Sequence, residues 1–184
     1  GTAANATNTV WIARLGANGE PQLWHPSGGT PVYWYASTNV LPAALSYSSI
    51  AAYKNRLYLV GGRNSVGTSI NEVRYTDLLP TGDIGAWSTS GMQDLTTPTA
   101  RFGHSVHIYN DIMYVIGGNN SGTLRNTVFY SKLDNVGNMN VWTATSNFAN
   151  GRASFGGQMT AVWGAYIYLS GGCTVLSGSN CSTI

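Results

Sequence analysis

Apolar positions along this chain follow the two-residue period of β-strands. Apolar and polar residues alternate over Ser105–Tyr109, which predicts a strand with one buried face. The segments Arg56–Val60 and Ile112–Ile116 are nearly continuous apolar runs, as expected for strands that are buried on both faces. The dipeptides Lys54-Asn55 and Asn110-Asp111 separate neighbouring strands as two-residue hairpin turns. Since no segment shows helical periodicity, the sequence predicts an all-β fold.

The strand pattern recurs along the chain. Asn8, Asn71 and Asn126 each open the pattern N-x-V, and a Leu, a Gly and a Trp follow 7, 11 and 16 residues later. The Trp of the first copy is then Trp24, and a fourth copy begins at Asn180. Self-similarity at a period of about 50 residues is typical of repeat architectures, most often of β-propellers.

Each copy contains the strands of one propeller blade. After the hairpin, Asn71–Leu78 and Asn126–Leu133 are predicted third strands, and a glycine turn leads into short fourth strands around Trp87 and Trp142. Four antiparallel strands make up a propeller blade. The chain is therefore predicted to be one partial propeller domain, 1–184, which divides into a half blade, two blades and a half blade: 1–28, 48–91, 104–146 and 157–184.

Glycine pairs and aromatic residues recur at fixed places in the repeat. A glycine pair ends each buried strand, where it permits positive φ and close packing of a neighbouring ring. The Tyr and Trp side chains supply apolar faces that fill the gap between adjacent blades. Tyr58, Tyr114 and Tyr168 precede the three pairs by three residues. We assign the following repeat residues a structural role: Gly61, Gly62, Tyr75, Trp87, Gly117, Gly118, Tyr130, Trp142, Gly171 and Gly172.

This order of features resembles the kelch-repeat β-propeller family. Its blades carry an apolar run, a glycine pair, a Tyr and a Trp, as in Gly117-Gly118, Tyr130 and Trp142 here. The segment Arg101-Phe102-Gly103-His104, before a first strand, is also similar. The resemblance implies a kelch-type propeller segment that is part of a larger ring. It indicates fold rather than function, because kelch propellers serve as enzymes, adhesion modules and partner-binding domains.

Three blades are too few to close a ring, since closed propellers have about four to eight. The missing blades would come from a longer chain of which these residues are a segment, or from a second copy in a six-bladed dimer. A monomeric open arc is the third alternative, and it would leave blade faces exposed to water. The expected partners therefore include the remaining blades of the same chain or a second copy.

Charged residues are scarce. They make up 9% of the chain, which carries a formal net charge of +2, against a usual share of about 25%. A surface made polar by Ser, Thr, Asn and Gly favours an extracellular or cell-surface protein. The nine Lys and Arg are spread along the chain, so no nucleic-acid partner is expected. No apolar run approaches the roughly 18 residues needed to cross a bilayer, so no membrane span is predicted.

The two cysteines fit an oxidising compartment. Cys173 and Cys181 flank a short loop rich in Gly and Ser that could bring them together in a disulfide. Two unrelated thiols are the alternative. Without neighbouring His or Cys residues, the pair does not form a zinc site.

The chain offers few groups for catalysis. Its seven carboxylates are scattered, mostly in predicted turns. His104 and His107 are three residues apart, so in a strand they would point to opposite faces. No Ser-His-Asp arrangement or P-loop is present. Some kelch propellers are copper-dependent sugar oxidases, but no convergent set of His and Tyr ligands can be assigned here. We predict no catalytic residue, no metal site and no cofactor.

The longest connection between repeats is the best candidate for a binding surface. It runs for 37 residues from Trp24 to Gly61, against 30 and 29 in the next two copies, and includes Tyr33, Trp34 and Tyr35. Loops on a rigid scaffold carry specificity, and exposed Tyr and Trp bind both sugar rings and proteins. The alternative is that this triplet forms an extra strand or packs inward.

The sequence therefore predicts a non-catalytic binding or adhesion module, outside the cell or at its surface, that docks a protein or a glycan on inter-strand loops. One alternative is a propeller domain of a carbohydrate-active enzyme, an oxidase or isomerase, whose catalytic residues lie outside these 184. The other is a structural subunit of a surface layer or filament, assembled through exposed blade edges.

Overall fold

The computed structural model describes residues 6–95, 99–153, 160–174, 176–177 and 180–181. These residues form strands and turns, which confirms the predicted all-β class. Among them there is no helix that could span a membrane. In chain order the strands are β1 (Trp11–Ile12), β2 (Arg14–Leu15), β3 (Pro21–Gln22), β4 (Tyr35–Ala36), β5 (Leu45–Ser46), β6 (Ser49–Tyr53), β7 (Arg56–Val60), β8 (Arg63–Asn64), β9 (Val73–Asp77), β10 (Ser105–Tyr109), β11 (Ile112–Ile116), β12 (Asn119–Asn120), β13 (Thr123–Leu124), β14 (Val128–Lys132), β15 (Thr143–Ala144), β16 (Thr160–Trp163), β17 (Tyr166–Leu169), β18 (Leu176–Ser177) and β19 (Asn180–Cys181).

A four-stranded antiparallel sheet, β10-β11-β14-β15, forms one complete blade. Tyr114 of β11 lies opposite Tyr130 of β14, and Tyr130 lies opposite Thr143 of β15. Within the blade, each strand therefore pairs with the strand that follows it in the blade order. Asn110 and Asp111 join β10 to β11 with φ values of 47° and 61°. Positive φ at both central residues is the geometry of a two-residue hairpin, as the sequence predicts.

The preceding blade repeats this arrangement in the sheet β6-β7-β9. Tyr58 lies opposite Tyr75, which in turn forms a single bridge with Ser88, so the fourth strand is reduced to one paired residue. The first strands of successive blades, β6, β10 and β16, contact one another in that order. The blades are therefore arranged side by side around a common inner edge, as in a propeller.

Incomplete blades flank these two sheets. β16 and β17 form a two-stranded sheet in which Ala161 faces Tyr168, just as Ala51 faces Tyr58 in the first complete blade. At the other end β1 pairs with β4 as a third strand pairs with a fourth. The predicted half blade of residues 1–28 stops short of this partner, because β4 lies at residues 35–36.

The core lies between the two complete blades. Tyr58 is fully buried there, and its hydroxyl donates to the carbonyl of Gly137 at 2.8 Å. Gly137 belongs to the turn between the third and fourth strands of the next blade and has φ 87°. A Cβ at Gly137 would clash with the Tyr58 hydroxyl, so the turn needs glycine. The buried residues of this core are Tyr58, Val60, Val73, Leu95, Val106, Met113, Val115, Leu133 and Met139.

Trp87 and Trp142 connect each complete blade to the one before it. The indole N–H of Trp87 donates to the carbonyl of Asn39 at 3.3 Å. That of Trp142 donates to the carbonyl of Gln93 at 2.9 Å. Both acceptors lie in the segment that follows the fourth strand of the preceding blade. The repeated Trp therefore supplies an inter-blade hydrogen bond as well as an apolar face.

The glycine pairs allow the segment that enters the next blade to come close. Gly61 and Gly117 have φ values of 55° and 65°. A Cβ at Gly61 would lie 2.6 Å from the carbonyl oxygen of Arg101, and one at Gly117 would lie 2.8 Å from that of Arg152. The N–H of the second glycine in each pair donates to the same carbonyl. Glycine is thus required both for its conformation and for this approach.

Candidate functional site

The predicted aromatic triplet is divided between the surface and the interior. Tyr33 and Trp34 are 56% and 58% exposed. Tyr35 lies in β4, half-buried, and makes edge-to-face contacts with the rings of Trp24 and His25 at centroid distances of 5.8 and 5.0 Å. Tyr33 and Trp34 are therefore accessible to a ligand, whereas Tyr35 packs against its own blade.

Strand register identifies the repeat Trp of the first copy. In the complete blades, the residue after Trp87 or Trp142 pairs with the Tyr at the centre of the third strand. In the first copy, Tyr35 pairs with the corresponding residue, Ile12. Trp34 therefore occupies the place of Trp87 and Trp142.

Sequence spacing assigns this place to Trp24, and the structure corrects that assignment. Trp24 exchanges both backbone hydrogen bonds with Val32, which makes residues 24–32 a hairpin between β3 and β4. Its side chain is 6% exposed, and its ring lies against Gly82 of the next blade. The additional residues of the first copy thus lie within a blade rather than between blades. Such an insertion moves the repeat Trp along the sequence without changing its place in the sheet.

Tyr33 stands at a repeat position that faces solvent. Its counterparts in the complete blades, Ala86 and Val141, are both exposed, and Val141 is 73% exposed. The counterparts of Trp34, by contrast, donate hydrogen bonds to a neighbouring blade. Of the exposed pair, Tyr33 is therefore the residue whose position is suited to an external ligand.

The second predicted site, the cysteine loop, lies partly outside the described residues. Cys173 is buried, and its backbone bridges to Ala153. The backbone of β19 pairs with that of β18, which places Cys181 opposite Leu176. The side chain of Cys181 and residues 178–179 are outside the described part of the chain, so the disulfide stays a prediction.

The two neighbouring histidines do not share a site. His104 is buried, and its Cε1 would lie 2.9 Å from a Cβ at Gly61. His107 is half-buried, and its Nε2 lies 2.6 Å from the hydroxyl of Thr160 in the next blade. Burial, followed by the positive charge of Arg101, lowers the pKa of His104 to about 3. Burial also lowers the pKa of His107.

We expect the free energy of unfolding to fall by about 2 kcal/mol between pH 7 and pH 5. The folded state holds the pKa of His104 at about 3, whereas an unfolded His titrates near 6.5. Between these values only the unfolded chain binds the proton, so acid favours unfolding. The stabilising contribution is complete above about pH 6.5 and is lost as the pH falls towards 3.

Urea unfolding at pH 7 and pH 5 measures this effect. The variant His104→Leu should lose most of the pH dependence. His107→Leu, which removes a half-buried ring with a pKa lowered in the same direction, should lose a smaller part. An undiminished pH dependence in His104→Leu would contradict the assignment.

An arginine cluster, which the sequence analysis does not anticipate, surrounds the second glycine pair. Arg101 is 1% exposed. Its Nη1 donates to the carbonyl of Gly117 at 2.8 Å and to the hydroxyl of Thr127 at 3.2 Å. Arg152 has the same place one repeat later, and its Nη1 donates to the carbonyl of Gly171 at 2.7 Å. Each arginine thus connects an entry segment to the glycine pair of the following strand.

Arg125 completes this cluster, which we define as Arg101, Arg125 and Arg152. Its backbone N–H donates to Gly118, and its carbonyl accepts the N–H of Arg152 at 2.9 Å. Burial, and then the positive charge of Arg125, lower the pKa of Arg101 to about 10. Within the described residues, the Nε of Arg125 is buried and has no hydrogen-bond partner. Arg101 and Arg125 therefore place two positive charges close together at the end of the blades where the glycine pairs lie.

Comparisons with known proteins agree with this architecture. Residues 100–130 match the family described as Kelch motif. Over 138 residues the chain is 27% identical to alpha-scruin of Limulus polyphemus, covering 74% of this chain and 14% of scruin. Over 138 residues it is 30% identical to the kelch repeat protein M-T8 of Myxoma virus (strain Lausanne), covering 70% of this chain and 24% of M-T8.

The fold itself is similar to a solved structure. The structure of YjhT matches with a TM-score of 0.59 at 16% identity, covering 77% of this chain and 42% of the YjhT chain. The chain thus spans less than a quarter of the curated relatives named here and less than half of YjhT. With glycine pairs, Tyr and Trp at equivalent places in successive antiparallel blades, this chain carries the kelch motif and folds as a kelch-type β-propeller segment.

Proposed function

We propose that this chain is a non-catalytic binding module that recognises a protein partner outside the cell or at the cell surface. Kelch repeats generally mediate protein binding. The observation that carries the proposal is the exposed Tyr33 side chain, which directly follows the hairpin of residues 24–32 inserted between the third and fourth strands of a blade. The low share of charged residues, 9%, supports a location outside the cell.

The hairpin that precedes Tyr33 is closed by paired backbone hydrogen bonds. Trp24 and Val32 exchange backbone hydrogen bonds of 3.1 and 2.9 Å, and the Trp24 ring is buried beneath them. Leu23 is 58% exposed beside this base, which enlarges the apolar surface. A Tyr offers a large contact area with few rotatable bonds, so little entropy is lost when it is ordered on binding. A preorganised hairpin reduces that loss further.

Replacing Tyr33 with Ser is expected to weaken partner binding by about 10- to 100-fold, the usual range for an interface Tyr. The melting temperature should stay unchanged, because the side chain is exposed. The chain would first be screened against cell-surface proteins and a glycan array, and the affinity for the strongest ligand would then be titrated. A glycan as that ligand would replace the protein partner in this proposal.

Val141→Ser is the matched control, since Val141 has the same repeat position and is also exposed. It should leave the affinity unchanged. Equal affinities for wild type and Tyr33→Ser, or equal losses in both variants, would contradict a binding role for the hairpin.

We further propose that other blades, from the same chain or from a second copy, cover the faces of the flanking half blades. Trp163 and Tyr168 are 75% and 50% exposed, whereas Tyr58, in the position of Tyr168, is fully buried between blades. At the other end of the chain Trp34 is exposed, whereas its counterparts Trp87 and Trp142 donate hydrogen bonds to the preceding blade. Native mass spectrometry distinguishes the two sources: a dimer of 19.5 kDa chains supports the second copy. A monomer of these residues would exclude the second copy and leave blades from the same chain as the proposed source.

A further inference from the structure

We propose that a cavity beside the first complete blade binds an arginine side chain of the partner protein. The cavity has a volume of about 270 Å³ and lies between the segment 41–45 and strands β7 and β9. Its lining includes Leu45 and Asn64, which pair with each other two residues after the first glycine pair. This inference rests on the proposed protein-binding function and adds a second contact, on a surface separate from the hairpin that precedes Tyr33.

Arg101 fills the equivalent place in the next blade, and the backbone identifies Leu45 as its counterpart. The N–H of Arg101 donates to the carbonyl of Ile70 at 3.2 Å, and the N–H of Leu45 donates to the carbonyl of Thr7 at 3.1 Å. Ile70 and Thr7 each directly precede an Asn that opens a repeat. Leu45 therefore has the backbone position of Arg101, but its side chain is shorter and has no hydrogen-bond donor.

The cavity wall keeps a carbonyl at the place of one acceptor of Arg101. The Nε of Arg101 donates to the carbonyl of Thr99, two residues earlier, at 3.1 Å. Ala43 is two residues before Leu45 and lines the cavity. Because Leu45 has no donor, the carbonyl of Ala43 lacks the side-chain hydrogen bond that Thr99 accepts.

A second acceptor of Arg101 is replaced by a carboxylate. Arg101 donates to the hydroxyl of Thr127 at 3.2 Å. The N–H of Gly117 donates to the carbonyl of Thr127 at 3.0 Å, and in the preceding repeat the N–H of Gly61 donates to the carbonyl of Glu72 at 2.9 Å. Glu72 thus has the position of Thr127, and it lines the cavity. Exchange of a hydroxyl for a carboxylate makes this place more favourable for a cation.

The size and walls of the cavity suit one long cationic side chain. Its volume lies below the roughly 300 Å³ at which pockets for small-molecule ligands begin. Leu41 and Leu95 donate equivalent backbone hydrogen bonds in successive repeats, yet Leu95 is fully buried and Leu41, in the cavity wall, is half-buried. An arginine would cover this apolar wall with its aliphatic stem and place its guanidinium against Glu72.

The ion pair of Glu72 with Arg74 leaves room for a second guanidinium. Nη2 of Arg74 donates to Oε2 of Glu72, and the Glu72 side chain is 41% exposed. Among the described residues no hydrogen bond is made to Oε1, and an ionised carboxylate accepts on both oxygens. The chain also places two guanidinium groups close together at Arg101 and Arg125. Arg74 therefore weakens the attraction for a partner arginine without blocking it.

NMR titration of the isotope-labelled chain at low ionic strength tests the proposal. The probe is arginine with an acetylated amino group and a methylamide at its carboxyl group. The comparison probes are the same derivatives of citrulline, lysine and leucine. We expect the arginine derivative to bind about 10-fold more tightly than that of citrulline, which has the same shape without the charge. Equal binding of the leucine or citrulline derivative would overturn the proposal, and equal binding of the lysine derivative would overturn the assignment to a guanidinium.

Two substitutions locate the binding in this cavity. Leu45→Arg supplies the side chain that Arg101 provides in the next blade, so it should abolish binding of the probe and leave the melting temperature equal or higher. Glu72→Gln should weaken binding by about 10-fold. Glu20→Gln removes the same charge from an exposed turn and should have no effect. Undiminished binding or a lower melting temperature in Leu45→Arg, or equal weakening by the two glutamine variants, would each overturn the site.

The two proposals fail separately. Partner binding that depends on Tyr33 but is unchanged by Leu45→Arg would overturn the arginine contact and leave the hairpin surface in place. Partner and probe binding that are both blocked by Leu45→Arg, with partner binding indifferent to Tyr33, would overturn the hairpin surface alone.

Discussion

Replacing Tyr58 with Ala is expected to lower the free energy of unfolding by about 4 kcal/mol. The side chain is fully buried between the two complete blades, and its hydroxyl donates to Gly137 of the second blade at 2.8 Å. Truncation leaves a cavity in the core and a carbonyl without its donor. Because domains of this size are stable by about 5–15 kcal/mol, the variant would be close to unfolding.

Urea denaturation followed by tryptophan fluorescence measures this loss. Tyr58→Phe keeps the ring and removes only the hydrogen bond, so it should lose about 1 kcal/mol. In a monomer of these residues, Tyr168→Ala is the matched control, because Tyr168 has the same repeat position but is 50% exposed. It should lose less than about 1 kcal/mol. Similar losses for Tyr58→Ala and Tyr168→Ala would show that the core does not lie between the complete blades.

The blades could be predicted because their determinants are local. The two-residue period over β10 and β11 follows from the alternation of side chains in a strand, and the turn at Asn110 and Asp111 has the residues that tolerate positive φ. Residues equivalent to Gly137 and Tyr58 recur at fixed spacing, because one of each is needed in every junction between blades. Where the blades have equal length, sequence spacing is therefore a sufficient guide to position.

The first copy shows where this guide fails. Spacing measures distance along the chain, whereas the place of a Trp in a blade depends on which residue pairs with the third strand. In the first copy, the hairpin of residues 24–32 adds residues before the fourth strand. Strand register therefore identifies Trp34 as the repeat Trp, whereas sequence spacing identifies Trp24. The alternation of residues around this hairpin gave no indication that it lies inside the blade. This difference also moves the candidate ligand contact from the whole triplet to Tyr33.

The arginine cluster could not be predicted for a different reason. Along the sequence the nine Lys and Arg are dispersed, and that description is correct. In the structure, Arg101, Arg125 and Arg152 come together because the glycine pair at 117–118 bonds to three separate segments of chain: to the side chain of Arg101 and to the backbone of Arg125 and Arg152. The sequence contained one signal, the Arg that recurs before the first strand of successive blades at positions 101 and 152.

Replacing Arg101 with Met is expected to lower the free energy of unfolding by about 3 kcal/mol. Removing a buried charge beside Arg125 is favourable in itself. However, Met has no hydrogen-bond donor, so the substitution leaves three acceptors without their partner: the carbonyls of Gly117 and Thr99 and the hydroxyl of Thr127. The hydrogen bond to Gly117 is buried. Each buried acceptor without a donor costs about 1–3 kcal/mol, so the lost hydrogen bonds outweigh the relief of charge.

Thermal and urea unfolding of Arg101→Met, compared with Arg152→Met, test this balance. Arg152 makes the equivalent bond to Gly171, but that bond is exposed, so its loss should be about 1 kcal/mol or less. The two variants remove the same charge from the same repeat position and differ in burial. A loss at Arg152 as large as that at Arg101 would mean that charge, rather than buried hydrogen bonding, sets the stability of the junction.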